Sequence, residues 1–238
     1  MLKYMKKIFK FLLFVLGFLI VTLTILYVIY NKPLPEGEKT NKADVLAHKM
    51  LTAINNDAYK NAKFFEWSFA GGSHTYKWDK QNGEVDVTWS DKLVKLNLGN
   101  SNKSQVFENG AEVIGDSKFD LITTATDYFN NDSFWLVAPF KIFDNGTTRS
   151  IVNFEDGTEG LMVTYESGGT TPGDSYVWKL NEKDLPISYQ MWVKIIPVGG
   201  LEATWDNWKQ MENGIYLPTS HKLGPITLDM GNVRSYNQ

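Results

Sequence analysis

The chain has 238 residues with 24 Lys+Arg against 27 Asp+Glu, a formal charge of −3, and no cysteine. Without thiols there are no disulfides, no thiolate chemistry and no lipoprotein acylation. The acidic balance disfavours nucleic acid as a partner, because phosphates need a basic footprint.

Residues 11–30, FLLFVLGFLIVTLTILYVIY, form an unbroken apolar run behind Lys3, Lys6, Lys7 and Lys10. A run of about 20 residues matches the hydrocarbon thickness of a bilayer at helical rise. Residues 1–10 are read as a basic cytoplasmic tail and 11–30 as a transmembrane signal-anchor, since only Lys32 closely follows the run. A cleaved signal would have an apolar core of roughly 7–15 residues and a small-residue exit, which Ile29-Tyr30-Asn31-Lys32-Pro33 lacks. The expectation is a single-pass protein whose domain faces the periplasm from a bacterial inner membrane. Five of the 24 basic residues precede Glu36, leaving 19 against 27 acids, a balance of −8. That charge argues against the domain lying flat on anionic headgroups.

Residues 31–41 read as a linker, stiffened by Pro33 and Pro35 and denied an apolar face by Glu36, Glu38 and Lys39. The extracytoplasmic domain is then 42–238. A first amphipathic helix is predicted over 42–54, with Leu46, Met50, Ala53 and Ile54 on one stripe. After one short turn the period changes to two. Phe65, Trp67 and Phe69 alternate, and His74, Tyr76 and Trp78 share a face. The Asn82-Gly83 turn leads to Val85, Val87 and Trp89, a hairpin signal. Val94, Leu96 and Leu98 continue the meander, and Asn109-Gly110 joins two shorter strands.

A helix follows over 117–130. Asn131-Asp132-Ser133 is read as restarting a second short helix, Phe134 to Ala138, which Pro139 ends. Strands resume near 148–154, 160–166, 174–180, 186–196, 201–208, 214–222 and 225–234. Turn signals such as Asp156-Gly157, Gly168-Gly169 and Asn213-Gly214 separate them. Tight sequential turns imply antiparallel pairing, and about 12 strands in one sheet curl rather than stay flat. The predicted fold class is α+β: an N-terminal transmembrane helix, then a curved antiparallel β half-barrel wrapped around helices.

This element order over roughly residues 40–236 resembles the LolA/LolB-like superfamily of lipoprotein-localisation factors. The stretch Ser133-Phe134-Trp135-Leu136-Val137-Ala138-Pro139-Phe140 is similar to a Trp-Leu-rich, Pro-containing segment there. Trp205-Asp206-Asn207-Trp208 and Gly214-Ile215-Tyr216-Leu217-Pro218 are similar to strand pairs in uncharacterised members. The resemblance implies an open barrel with an apolar cavity that accepts acyl chains. It does not imply the soluble shuttle's own task, since the chain keeps an anchor.

Eight tryptophans invite a pocket reading, with Trp78, Trp89 and Trp178 as wall residues, although strand alternation alone also accounts for their spacing. Phe134, Trp135, Leu136 and Phe140 are apolar all round, so that segment is either buried or a lid over a ligand. His48, His74 and His221 lack metal-ligand spacing, and there is no Gly-x-Ser-x-Gly elbow. No catalytic residue, metal or cofactor is expected. The functional expectation is a membrane-anchored, non-enzymatic periplasmic domain that binds a lipid or lipoprotein acyl chain. The alternative is an envelope sensor or scaffold that binds another protein through its sheet.

Overall fold

A computed structural model describes residues 2–167 and 171–238, without the side chains of Leu2 and Lys3. The Gly168-Gly169 turn signal lies outside the described residues. The chain is α+β, with an N-terminal apolar helix and large open antiparallel sheets. Helix α1 (Leu2–Tyr30) buries none of its apolar window against the rest of the chain and is long and apolar enough to cross a membrane. Helix α2 is Asn41–Ala53 and α3 is Asn56–Asn61.

Six strands follow: β1 (Phe64–Phe69), β2 (His74–Asp79), β3 (Glu84–Trp89), β4 (Lys92–Asn97), β5 (Gln105–Glu108) and β6 (Ala111–Glu112). Helix α4 (Asp116–Val137) leads into a 3-10 turn over Ala138–Lys141. Then come β7 (Thr147–Asn153), β8 (Glu159–Tyr165), β9 (Ser175–Leu180), β10 (Pro186–Trp192) and β11 (Leu201–Thr204). Five short strands end the chain: β12 (Trp208–Gln210), β13 (Tyr216–Pro218), β14 (Ser220–Leu223), β15 (Ile226–Asp229) and β16 (Arg234–Tyr236).

The described strands number 16, more than the dozen expected, because the C-terminal runs each break in two. The run expected at 201–208, for example, divides around Trp205, a fully buried residue whose N–H still donates to the Ile187 carbonyl of β10 at 2.7 Å before β12 starts at Trp208. One seven-stranded sheet has the order β16-β1-β2-β3-β4-β5-β6, the other β15-β14-β11-β10-β9-β8-β7, and β12 pairs with β13 alone. Alternation sets the inner faces. Trp67, Tyr76, Val87, Val94 and Val106 align across the first sheet, and Ile151, Leu161, Trp178, Tyr189 and Ala203 across the second. Both rows join α2, α4 and the 3-10 turn in one core.

The helix pair expected at 117–138 is a single helix. Asn131-Asp132-Ser133 does not cap a new one, because Asp132 and Ser133 are buried within α4. The Asp132 side chain is held by partners on the sheet, so it does not compete for the helix backbone as a free cap residue does. Pro139 falls in the first turn of the 3-10 segment, where its missing N–H costs nothing.

Residues 31–38 lie against the second sheet as a strap. Lys32 N–H donates to the Gly199 carbonyl at 2.9 Å, and Trp192 Nε1 donates to the Lys32 carbonyl at 2.8 Å. At the far end Glu38 and Ile151 exchange backbone bonds at 2.8 and 3.0 Å, adding a bridge to the β7 edge. A Cβ at Gly37 would collide with Ser150 and Met162, so only glycine allows this close approach. On that outer side of the sheet, Val152, Met162 and Val177 form a small second core with Phe154 and Trp192.

Candidate functional site

The interior between α4 and the two sheets holds most of the residues singled out in the sequence. Phe134 packs on Tyr176 and Tyr165, with ring centroids 4.9 and 5.8 Å away. Trp135 packs on His221 at 5.3 Å and Tyr189 at 5.8 Å. Leu136 is fully buried, and Trp178 sits edge-on to both Tyr189 and Trp205 at 5.0 Å. Phe134, Trp135 and Trp178 meet through Tyr176 and Tyr189 on the second sheet, and Leu136 belongs to the same core.

The other three lie elsewhere. Trp78 contacts Phe65 and Phe129 beneath the first sheet, and Trp89 meets Tyr128 edge-on at 5.6 Å. Phe140 stacks on Tyr59 of α3 at 4.2 Å. The seven therefore line a continuous packed interior from three directions rather than one wall. Two open depressions of about 440 and 460 Å³ lie on the outside, one beside His48 and Lys183 and one beside Leu93 and Phe107. None of the seven residues lines either depression.

Within the apolar interior is a polar cluster that spacing did not reveal. Asp132 is 2% exposed, and its Oδ2 accepts from the Tyr76 hydroxyl at 2.5 Å and lies 2.8 Å from His74 Nδ1. Asn131 Nδ2 donates to Oδ1 at 2.8 Å. Burial, and then the bond to Asp132, push the Tyr76 phenol far above its ordinary pKa, so it stays protonated and donates. The His74 ring stacks on Tyr128 at 4.0 Å, and its side chain remains 17% exposed. A carboxylate at Nδ1 fixes the ring and leaves Nε2 turned away from it, the orientation that half of a catalytic triad uses. Among the described residues, Asp132 is the hydrogen-bond partner of His74, and no hydroxyl is bonded to Nε2.

One signal could have located this cluster. Ile122, Ala125, Phe129, Asp132 and Leu136 follow the spacing of one buried helical stripe, so Asp132 is a charge at a core position. His74 and Tyr76, two apart on an inward strand face, were the available partners.

A second histidine, this one fully buried, packs α4 against the other sheet. His221 is fully buried, and its Nδ1 lies 2.8 Å from the Thr204 carbonyl. Its Nε2 has no hydrogen-bond partner among the described residues, and its ring packs on Trp135 of α4. Burial holds its pKa below the usual 6.5. Four further buried donors have no protein partner among the described residues: Trp67 Nε1, Trp78 Nε1, Trp205 Nε1 and the Tyr165 hydroxyl. No group of three or more His, Asp or Glu side chains suited to a metal occurs among the described residues.

No family model matches the chain, and no curated protein does. Among solved structures, the chain is similar to the crystal structure of a DUF1329 family protein from Desulfovibrio piger, at 12% identity. The match covers 83% of this chain and 93% of that one, with a TM-score of 0.42.

Proposed function

We propose that this protein is a membrane-anchored, non-enzymatic periplasmic domain of the LolA/LolB-like half-barrel type. It takes an apolar ligand, a lipid or lipoprotein acyl chain, between α4 and the sheets. Support for a curved wall comes from the Ser68 N–H, which donates to the Met230 carbonyl at 3.0 Å and joins the first sheet to the chain leaving β15. The observation that carries the reading is the chemistry of the interior. Aromatic side chains of α4 and both sheets surround donors that lack acceptors, Tyr165 and Trp78 among them. An acyl chain ending in an ester or amide carbonyl supplies both an apolar body and the missing acceptor.

The interior is filled by Phe134, Trp135 and their neighbours, so ligand entry requires the C-terminal part of α4 to leave its seat. Each buried CH₂ of the ligand returns about 0.8 kcal/mol, so a chain of roughly a dozen offsets a displacement costing several kcal/mol. In this reading α4 and the 3-10 turn are the lid, with the left-handed Gly115 before α4 as one pivot. The anchor keeps the N-terminus cytoplasmic, following the lysine bias.

The test uses full-length protein in nanodiscs and a fatty acid brominated along its chain, which quenches nearby tryptophan. All eight tryptophans lie outside α1. Saturable quenching is expected, and it should vanish when Phe134→Cys and Tyr176→Cys are joined by a short bis-thiol cross-linker. Quenching that is absent, or unchanged by the cross-link, overturns the proposal. The filled interior favours the second reading, a scaffold that binds protein. The outer face of the first sheet, where Leu93 and Phe107 line a depression, would be its contact. Phe107→Glu should then abolish partner capture from envelope extracts.

A further inference from the structure

The end of α1 is hydrogen-bonded directly to one loop of the domain. Helical bonding continues to Asn31, whose N–H donates to the Tyr27 carbonyl at 2.8 Å. Gly199 N–H then donates to Asn31 Oδ1 at 2.8 Å, and Lys32 N–H donates to Gly199 O. Trp192, on the other side of the same loop, clasps the Lys32 carbonyl. Gly199 and Gly200 both lie where a Cβ would strike Lys32. The chain therefore passes from the helix end to the β10–β11 loop with no free spacer between them.

We infer that the 194–198 segment of this loop is a second membrane contact, seated in the bilayer interface with Ile195 as its apolar anchor. The inference rests on α1 spanning a membrane and is independent of the ligand. With 11–30 filling the hydrocarbon at about 1.5 Å per residue, Asn31 sits at the interfacial boundary. A loop one hydrogen bond from Asn31 is held at the same depth. Its chemistry suits that depth. Ile195 is 71% exposed and Pro197 is also exposed, although both adjoin a packed core. Tyr27 and Tyr30 stand in the last turn of α1 and the Trp192 indole is bonded to Lys32, residue types that favour the headgroup region. Lys32 and Lys194 flank the apolar tip with long stems that reach back to water. Ile195 exposed to water has no such account.

The absence of native cysteine makes the test direct. Full-length Ile195→Cys, Ile20→Cys and Lys183→Cys proteins are labelled with an environment-sensitive fluorophore and reconstituted in phosphatidylcholine vesicles carrying shallow or deep spin-labelled lipids. Lys183 lies in the turn at the opposite end of β10, a strand of 7 residues, about 20 Å away at strand rise. The expected result is deep quenching at residue 20, shallow quenching at residue 195 and severalfold less at residue 183. Adding Gly199→Val should weaken quenching at 195 and leave residue 20 unchanged. Quenching at 20 with 195 indistinguishable from 183 overturns the second contact. A residue 20 that is not quenched removes the membrane span itself, and the contact with it.

Discussion

His74 on β2 and Asp132 on α4, 58 residues apart, meet at 2.8 Å beneath the first sheet. A carboxylate at 2% exposure persists in an apolar core only when donors surround it, and Tyr76, His74 and Asn131 do so. Replacing Asp132 by Ala leaves the Tyr76 hydroxyl and the His74 N–H without an acceptor. The expected loss is about 2–4 kcal/mol in chemical denaturation. Tyr76→Phe alone should cost about 1 kcal/mol. Combining it with Asp132→Asn should cost less than the sum of the two, since both remove one shared bond. Strict additivity would show that the cluster is not coupled.

The strap should govern protease access to the segment after α1. A Cβ at Gly199 would fall 2.7 Å from the Lys32 carbonyl and 2.5 Å from the Trp192 ring. Gly199→Ala is expected to accelerate tryptic cleavage after Lys39 severalfold; Lys32 precedes Pro33 and is not a tryptic site. Trp192→Phe keeps the apolar contact and loses only the N–H bond, so its effect should be smaller. Equal cleavage rates in wild type and Gly199→Ala would refute a docked strap.

Stability should fall on mild acidification through His221. Its pKa is depressed in the folded state by burial, so between that value and about 6.5 the unfolded chain binds a proton that the folded chain does not. The contribution is fully present above pH 6.5 and declines as pH drops below it. His221→Gln should lower stability near neutral pH while flattening its slope between about pH 6.5 and 5. An unchanged slope would mean that another group titrates there.

Truncations should separate the interior from the rim sharply. Trp178→Ala and Leu136→Ala remove fully buried side chains and should cost about 3–5 and 2–5 kcal/mol. Ile114→Ser and Phe119→Ser, at positions 80% and 57% exposed, should stay within about 0.5 kcal/mol. Differential scanning calorimetry of the four variants would expose any inversion of that order.

Much of the strand pattern was readable because alternation is a local property. Phe65, Trp67 and Phe69 point inward as their period of two required, and His74, Tyr76 and Trp78 do the same. The helix boundary at Asp132 was not readable. Asn-Asp-Ser is a capping sequence wherever its side chains are free, and only the sheet opposite shows that they are not. The candidate residues divide in the same way. All-round apolarity marked Phe134, Trp135 and Leu136 as unusual, but not which aromatic each would meet.

By itself the sequence determined the apolar N-terminal helix, the α+β class and the inward face of most strands. Each depends on residues within a turn or a strand of one another, and hydrophobic periodicity records those directly. Tertiary structure alone decided the division into two seven-stranded sheets, the His74–Asp132 pair and the docking of residues 31–38 along the outer face. Their longest links join segments 58 to 172 residues apart. Their energies depend on what lies opposite in space, a property that no local window of sequence contains.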